Sequence, residues 1–293
     1  MHDATLEWPL VAATGMTGMI GRRAKELFPE LGWDSLGVDI TDQSAVDAAV
    51  ASTRASVIIN LAAYTDVSGA RQQHDDIDAP CFRINVDGAR NLAAACARSG
   101  KHFVQVSTDY VFEGDRAGPY LESDDGDARS DWYGVTKSLA EGLIKQSDGG
   151  WAIARLSFPY QQHSQRKTDI VRRIGAQLKT GSISAMFSDQ IITPTFSDDA
   201  VGTLAHIART RAQGVFHAVG PEWLSPHQVA TRVAESLGLD AATVPSGSLK
   251  SYVNAGGRPF PQTLRMSSEA TKSLLNQPTH TLSEALRLPG WVF

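Results

Sequence analysis

An apolar run, a glycine-rich turn and a helical pattern follow one another early in the chain, and this passage limits the possible folds most. Residues 9–14 are mostly apolar, Gly15, Gly18 and Gly21 follow, and a helix is predicted to about Phe28. Glycines at this spacing permit a tight turn, a close backbone approach to a pyrophosphate and close packing of helix on strand. The passage predicts an α/β fold with a Rossmann-like doubly wound parallel sheet that binds a dinucleotide. Its predicted cofactor-binding residues are Gly15, Thr17, Gly18, Met19, Ile20 and Gly21.

An acidic residue after the second predicted strand bears on the choice of dinucleotide. Residues 34–38 form a short predicted strand that ends at Asp39, roughly 20 residues beyond the glycines. A carboxylate there accepts a hydrogen bond from a ribose 2′-hydroxyl and repels a 2′-phosphate, which favours NADH slightly over NADPH. Alternatives remain open, because Asp39 could instead lie near the adenine or cap a helix over residues 43–53. Arg22 and Arg23 could contact a 2′-phosphate or lie in solvent.

Two further buried strands carry small or hydroxyl side chains at their carboxyl ends. Small residues after the strand at 56–61 would let a cofactor lie across the backbone, where open α/β sheets bind ligands. The strand at 102–106 delivers Ser107 and Thr108 to the same edge. Hydroxyls there can hydrogen-bond a substrate carbonyl or alcohol, although Ser and Thr after a strand often only begin a turn. The predicted cofactor contacts in this region are Ile40, Leu61, Ala62, Ala63, Tyr64 and Ser107.

The segment between these two strands is predicted to be a loop followed by a long helix. Residues 67–80 are polar and indicate the loop, and residues 81–99 indicate the helix. Asn85 stands in this helix among apolar residues. It could hold a water molecule or a backbone group near the site, or it could be a surface or capping residue.

Tyr133 and Lys137 form the strongest candidate for chemistry. Residues four apart on a helix share one face, and the Ala, Leu and Glu that follow favour a helix here. A free tyrosine titrates near pH 10, and an adjacent cation stabilises its phenolate, so Lys137 would make Tyr133 a better proton donor near neutral pH. Taken alone, the pair is more typical of an ordinary amphipathic helix than of a catalytic site. The dinucleotide signature upstream favours the catalytic interpretation.

Short motifs along nearly the whole chain resemble those of one enzyme family. Five of them are Gly15-x-x-Gly18-x-x-Gly21, Tyr133-x-x-x-Lys137, Asp189-Gln190, Pro194-Thr195 and Arg258-Pro259. The others are the segments at residues 39–42, 60–65, 107–112 and 155–157. The pattern resembles the extended short-chain dehydrogenases/reductases, and most closely the dTDP-4-dehydrorhamnose reductase (RmlD-like) family. Related sugar-nucleotide dehydratases place a glutamate where this chain has Tyr110. Because that acid is absent, the resemblance favours simple reduction over 4,6-dehydration.

The resemblance implies a reaction and a role for each site residue. The implied reaction is the NAD(P)H-dependent reduction of the C4 ketone of a nucleoside-diphosphate 4-keto-6-deoxyhexose, as in dTDP-rhamnose biosynthesis. Tyr133 would donate the proton, Lys137 would bind the nicotinamide ribose and stabilise the tyrosinate, and Thr108 with Ser107 would hydrogen-bond the reacting oxygen. The implied catalytic residues are Thr108, Tyr133 and Lys137, and the implied substrate contacts are Ser107, Thr108, Asp109, Phe158, Gln190 and Arg258.

The pattern changes after residue 157, and this change predicts a second domain. Residues 1–157, joined by part of 190–220, are expected to form the NAD(P)-binding domain, and 158–293 a smaller α/β substrate domain. The family usually has Trp-x-Tyr where this chain has Phe158-Pro159-Tyr160, so a flat apolar surface is kept but the indole N–H is lost. A basic helix follows, in which one cation could meet a diphosphate while the others lie in solvent. Its cations are Arg166, Lys167, Arg172, Arg173 and Lys179.

Composition excludes several other classes of protein. The 293-residue chain has a formal charge of −5, so it lacks the excess of basic residues that is typical of nucleic-acid-binding proteins. No apolar run approaches the roughly 20 residues that span a bilayer. Cys81 and Cys96 are the only cysteines, and no metal site is expected.

The sequence predicts a cytoplasmic enzyme, and a homodimer is the base-rate expectation. The alternatives are a sugar-nucleotide epimerase that keeps its NAD, or a non-catalytic cofactor-binding regulatory subunit.

Overall fold

A computed structural model describes residues 11–162, 168–275 and 279–293. The strands are β1 (Val11–Thr14), β2 (Asp34–Ser35), β3 (Val57–Asn60), β4 (His102–Thr108), β5 (Trp151–Leu156), β6 (Pro159–Tyr160), β7 (Met186–Phe187), β8 (Thr195–Phe196), β9 (Gly214–His217) and β10 (Ser246–Gly247). The main sheet contains six of them in the order β2-β1-β3-β4-β5-β9. The pairs β6–β8 and β7–β10 form two small parallel sheets.

Twelve α-helices lie within the described ranges. They are α1 (Met19–Leu27), α2 (Gln43–Ser52), α3 (Val67–Arg71), α4 (Pro80–Phe82), α5 (Gly88–Arg98), α6 (Trp132–Lys145), α7 (Ile170–Lys179), α8 (Ser197–Thr210), α9 (Pro226–Ser236), α10 (Leu249–Asn254), α11 (Glu269–Leu275) and α12 (Leu282–Arg287). A π-helical segment, Arg83–Asp87, joins α4 to α5. None of the described helices is long and apolar enough to cross a membrane.

The order of the strands determines where a ligand can bind. Strands β1, β2, β3 and β4 pair in parallel, and β1 lies between β2 and β3. The chain therefore reverses its direction of travel across the sheet between β1 and β3. In open α/β sheets, ligands bind beyond the carboxyl ends of the strands at such a switch point. The glycine turn follows β1 directly, so the predicted cofactor motif lies at this point.

The chain divides into two compact units. The first contains the described residues up to Ser107, with Asp131–Ala154 and Val201–Val215, and the second contains Thr108–Ser130 and the described parts of Arg155–Ala200 and Phe216–Phe293. In the first unit α2, α5 and α6 pack side by side. Its core includes Val46, Ile58, Leu92, Phe103 and Ile144. The predicted boundary between a cofactor domain at 1–157 and a substrate domain at 158–293 stays a prediction.

Several predicted elements need correction. The segment 67–80 is not simply a loop, because α3 occupies part of it: Asp66 accepts hydrogen bonds from the backbone N–H groups of Ser68 and Gly69 and so begins a helix. The strand predicted at 34–38 is paired only over Asp34–Ser35. The helices α10 and α12 were not predicted. In the basic helix, Arg172, Arg173 and Lys179 lie on α7, whereas Arg166 and Lys167 lie outside the described residues.

Candidate active site

The glycine turn after β1 leaves no room for side chains at two of its three glycines. Gly15 has a φ of +66°, and a Cβ there would lie 2.6 Å from the Leu61 carbonyl carbon. At Gly21 a Cβ would lie 2.6 Å from the Met16 Cα. The Gly18 N–H donates to the Gly15 carbonyl at 2.9 Å, and Gly18 begins α1 without a side-chain cap. This backbone cradle at a helix N-terminus suits a pyrophosphate.

A chain of buried side-chain hydrogen bonds connects the ends of β1 and β3 to the middle of β4. The Thr14 hydroxyl donates to Asn60 Oδ1 at 2.6 Å, and Asn60 Nδ2 donates to Gln105 Oε1 at 2.9 Å. The Ala62 N–H donates to both Thr14 Oγ1 and Asn60 Oδ1 at 3.2 Å. This network fixes the backbone of the predicted cofactor segment. These three polar side chains were not predicted to have a role, although a polar residue within each of three buried apolar strands is a usable signal.

Asp39 is exposed just beyond the short strand β2, where its carboxylate binds the next residues of the chain. The Thr41 N–H and hydroxyl donate to Asp39 Oδ1 at 2.9 and 2.8 Å, and these bonds lower the pKa of the Asp39 carboxyl. Asp42, and not Asp39, caps α2 by accepting from the Ala45 N–H at 3.0 Å. The capping alternative for Asp39 is therefore wrong. Arg23 pairs with Glu26 at 3.0 Å.

Asn85 holds the loop that follows β3. Its Oδ1 accepts from the Tyr64 N–H at 2.9 Å, and its Nδ2 donates to the Tyr64 carbonyl at 3.3 Å and to the Thr136 hydroxyl at 3.1 Å. Asn85 is buried in the π-helical segment, so the surface alternative is wrong. The side chain ties the Tyr64 backbone to α6. Ile40, another predicted cofactor contact, is also buried, and its carbonyl accepts from Asn91 at 3.0 Å.

Tyr133 and Lys137 lie one turn apart on α6, and both are buried. The Asp131 carboxylate caps this helix by accepting from the Tyr133 and Gly134 N–H groups. Lys137 Nζ donates to the Val106 carbonyl on β4 at 2.8 Å. Burial lowers the pKa of Lys137 to about 8, and the nearby Glu141 carboxylate opposes this effect. The ammonium is thus held at the end of β4 on the same helix face as the phenol.

A buried carboxylate that sequence reasoning missed lies beside Lys137. Ser107, the predicted cofactor and substrate contact, donates its hydroxyl proton to Glu141 Oε1 at 2.6 Å. Glu141 is only 2% exposed. The sequence does contain a signal for this position of Glu141. Glu141 follows Lys137 by four residues and so shares its helix face.

In the second unit, Thr108, Asp109 and Ser157 form a buried hydrogen-bonded group. The Thr108 hydroxyl donates to Asp109 Oδ1 at 3.0 Å and accepts from the Tyr110 N–H at 3.3 Å. The Ser157 hydroxyl donates to Asp109 Oδ2 at 2.7 Å. Burial raises the pKa of Asp109 to about 6, against the effect of these bonds. The Thr108 proton therefore points to Asp109 while the carboxylate is ionised.

The other predicted substrate contacts also belong to the second unit. Phe158 is half-buried and has a φ of +39°, which is unusual for a residue with a side chain. Gln190 is buried and its Nε2 donates to the Pro261 carbonyl at 3.0 Å. The Arg258 guanidinium lies over the Phe260 ring, 4.6 Å from its centroid. Within the described residues, no group of three His, Cys, Asp or Glu side chains could hold a metal ion.

The parallel sheet, the glycine turn and the Tyr133–Lys137 helix together define a Rossmann-type protein of the short-chain dehydrogenase/reductase class. The chain matches the RmlD substrate binding domain family over residues 10–288. It belongs to this family. The family, the α/β fold and the assignment to the oxidoreductases, all predicted from the sequence, are thereby confirmed.

Individual relatives span most of the chain. The dTDP-4-dehydrorhamnose reductase of Streptomyces griseus is 33% identical over 254 residues, which cover 82% of this chain and 81% of that protein. The probable low-salt glycan biosynthesis reductase Agl14 of Haloferax volcanii is 29% identical, with 83% of this chain and 80% of that protein covered. The solved dTDP-4-dehydrorhamnose reductase of Bacillus anthracis, in complex with NADP, has a TM-score of 0.84 and 25% identity, with 95% and 97% of the two chains covered.

Proposed function

We propose that this protein reduces the C4 ketone of a nucleoside-diphosphate 4-keto-6-deoxyhexose, using NADH or NADPH, in deoxysugar biosynthesis. The observation that carries the proposal is the buried pair of Tyr133 and Lys137 on α6, with the Lys137 ammonium bound to the end of β4 at 2.8 Å. This arrangement provides a proton donor and a cation on the sheet that also carries the backbone cradle for a dinucleotide. The names of the relatives support the substrate class.

Each residue has a proposed part in the reaction. NAD(P)H, when bound, supplies the hydride that adds to C4. Tyr133 donates its phenolic proton to the oxygen of the former ketone, so that an alcohol and a tyrosinate result. Lys137 hydrogen-bonds the nicotinamide ribose and stabilises the tyrosinate. When substrate binds, the Thr108 hydroxyl turns its proton from Asp109 to the ketone oxygen and so holds that oxygen. Ser107, Asp109, Phe158, Gln190 and Arg258 remain the proposed substrate contacts.

The residues around the glycine turn fit the adenosine half of either dinucleotide. The turn requires glycine at Gly15 and Gly21 because a Cβ at either position would collide with the backbone, and its place at the N-terminus of α1 suits a pyrophosphate. The Asp39 carboxylate favours an unmodified ribose and so NADH. The Bacillus anthracis relative was solved in complex with NADP, which supports NADPH as the alternative cofactor. We therefore propose that the protein uses either cofactor and prefers NADH.

We also propose that the protein is a cytoplasmic homodimer. Leu139 and Leu143, four residues apart on α6, are 46% and 37% exposed. Residues at this spacing share one face of a helix. Two neighbouring exposed leucines are suited to an interface between two copies of the chain, and a two-fold interface uses the same surface on both copies.

The test of the activity is to mix the purified protein with a dTDP-4-keto-6-deoxyhexose and either NADH or NADPH, and to follow the loss of reduced-nicotinamide absorbance. We expect consumption of cofactor and formation of a 6-deoxyhexose product, faster with NADH. Binding of both ligands without net consumption would contradict the reductase and support an epimerase. Tight cofactor binding with no binding of any sugar nucleotide would support a regulatory subunit.

A further inference from the structure

Three ionisable residues lie on one buried face of α6. Tyr133, Lys137 and Glu141 follow one another at intervals of four, and they are 9%, 2% and 2% exposed. Intervals of four bring side chains onto the same helix face, one turn apart. Glu141 therefore extends the proposed catalytic pair by one turn into the interior of the first unit.

Two successive residues of β4 bind the two charged members of this row. The Val106 carbonyl accepts from Lys137 Nζ at 2.8 Å, and the Ser107 hydroxyl donates to Glu141 Oε1 at 2.6 Å. The bond at 2.6 Å is in the range of charge-assisted O–H···O bonds. Adjacent residues of β4 thus bind the ammonium and the carboxylate.

We propose that Glu141, oriented by Ser107, is a positioning residue that keeps Lys137 protonated and bound to the end of β4. The inference deepens the proposed function, because it concerns the charge state of the residue that would hold the nicotinamide ribose. Glu141 acts through Lys137 and need not touch cofactor or substrate.

The electrostatics of the buried site support this role. A buried ammonium without a nearby negative charge loses its proton easily, because burial disfavours the charged form. Burial lowers the pKa of Lys137 to about 8, and Glu141 is the strongest influence in the opposite direction. Tyr133 shares this helix face, and the Cys81 thiol, whose pKa burial raises, also acts on Lys137. Glu141 is the one carboxylate among these groups, so it supplies the negative charge.

Replacing the carboxylate by an amide should therefore neutralise Lys137 near physiological pH. Removal of an opposite charge at close range shifts a pKa by about 1 to 3 units. In Glu141→Gln we expect the pKa of Lys137 to fall by about 1 unit or more, while Glu141→Asp, which keeps a carboxylate, should recover part of the difference. Ser107→Ala should cause a smaller fall. Glu235→Gln, the same change on an exposed part of α9, should cause none.

The direct measurement is an NMR titration of the Lys137 side-chain Cε resonance in full-length protein with ¹³C-labelled lysine, assigned with Lys137→Met. A lower pKa in Glu141→Gln, recovered in Glu141→Asp, is the expected result. If Glu141→Gln is folded and Lys137 titrates as in the wild type, the inference is overturned. If Glu141→Gln does not fold, Ser107→Ala decides, because an unchanged Lys137 titration in that variant also overturns it.

A second measurement separates this inference from the proposed function. The dissociation constants of NADH and NADPH are measured between about pH 6 and pH 8.5. Between pH 6 and pH 8.5 the affinity of Glu141→Gln should fall by up to about tenfold more in total than that of the wild type, because Lys137 loses its proton at a lower pH and neutral Lys137 is the weaker ligand. If Lys137→Met binds both cofactors as well as the wild type, the proposed cofactor role of Lys137 fails, whereas the titration still decides the role of Glu141.

Discussion

Asp109, a proposed substrate contact, lowers the stability of the protein because its carboxyl group is buried. The residue is 2% exposed, and its carboxyl accepts hydrogen bonds from the hydroxyls of Thr108 and Ser157. Burial raises its pKa from 3.8 to about 6. Between these two values the folded protein binds more protons than the unfolded chain, so stability falls as the pH rises through this range. Above about pH 6 the full destabilisation is present.

Asp109→Asn should therefore stabilise the protein more at neutral pH than in mild acid. The amide keeps the shape and can bind both hydroxyls but carries no charge. The gain in the free energy of unfolding should be about 1 kcal/mol larger at pH 7.5 than at pH 5. Urea denaturation at the two pH values measures it, with Asp148→Asn at an exposed bend as the matched control. A gain that is equal at both pH values, or larger at pH 5, would show that the Asp109 carboxyl is not destabilised by its burial.

At the scale of elements, the glycine turn between β1 and α1 depends on backbone contacts that a side chain would break. Gly15 has a positive φ, and a Cβ there would meet the Leu61 carbonyl carbon at 2.6 Å and the Ala62 nitrogen at 2.7 Å. Both contacts are with backbone atoms of the loop after β3, which cannot rotate away as a side chain would. The turn and that loop must therefore move together if the glycine is replaced.

Gly15→Ala should weaken NADH and NADPH binding at least tenfold and destabilise the protein by roughly 2 to 4 kcal/mol. The control is Gly100→Ala, since Gly100 also has a positive φ, +62°, but a Cβ there would meet nothing within 4 Å. That variant should lose only about 1 kcal/mol and bind cofactor normally. Thermal unfolding and fluorescence titration measure the two effects. Equal losses in both variants would mean that backbone strain, and not the contact with the Leu61 loop, is responsible.

The elements that were predicted have clear patterns in short stretches of sequence, whereas the helices that were missed are short. The glycine turn, the buried strands and the helix with Tyr133 and Lys137 all have patterns within short stretches of sequence. Helix α12 was missed although its Thr281–Glu284 capping box was readable. Helix α3 was missed because its 5 residues are too few to show a periodic pattern.

The contacts that complete the candidate site could not be predicted in the same way. Ser107 meets Glu141 across 34 residues, and Asp109 meets Ser157 across 48. The packing of β4 against α6 brings Ser107 and Glu141 together in the first unit. The fold of the second unit brings Asp109 and Ser157 together. The residues with intrinsic chemistry were predicted from the sequence, whereas the residues that orient them required the structure.

At the scale of the whole molecule, the proposed dimer depends on the exposed face of α6. Leu139→Glu places a charge where two copies would bury an apolar side chain, so we expect dissociation to monomers by analytical ultracentrifugation. Leu274→Glu, a change of the same kind at a leucine that is 62% exposed on α11, is the control. A wild-type monomer would contradict the dimer, and dissociation caused equally by both variants would contradict the use of α6.

The central claim is that Tyr133 supplies the proton in a ketone reduction, and the most direct test is the turnover of Tyr133→Phe. We expect kcat for reduction of a dTDP-4-keto-6-deoxyhexose to fall by about 10² to 10⁴, with nearly unchanged dissociation constants for NADH and NADPH because the ring remains. Tyr252→Phe, at a tyrosine that is 43% exposed, should retain wild-type turnover. If Tyr133→Phe turned over within a few-fold of the wild type, Tyr133 would not be the proton donor.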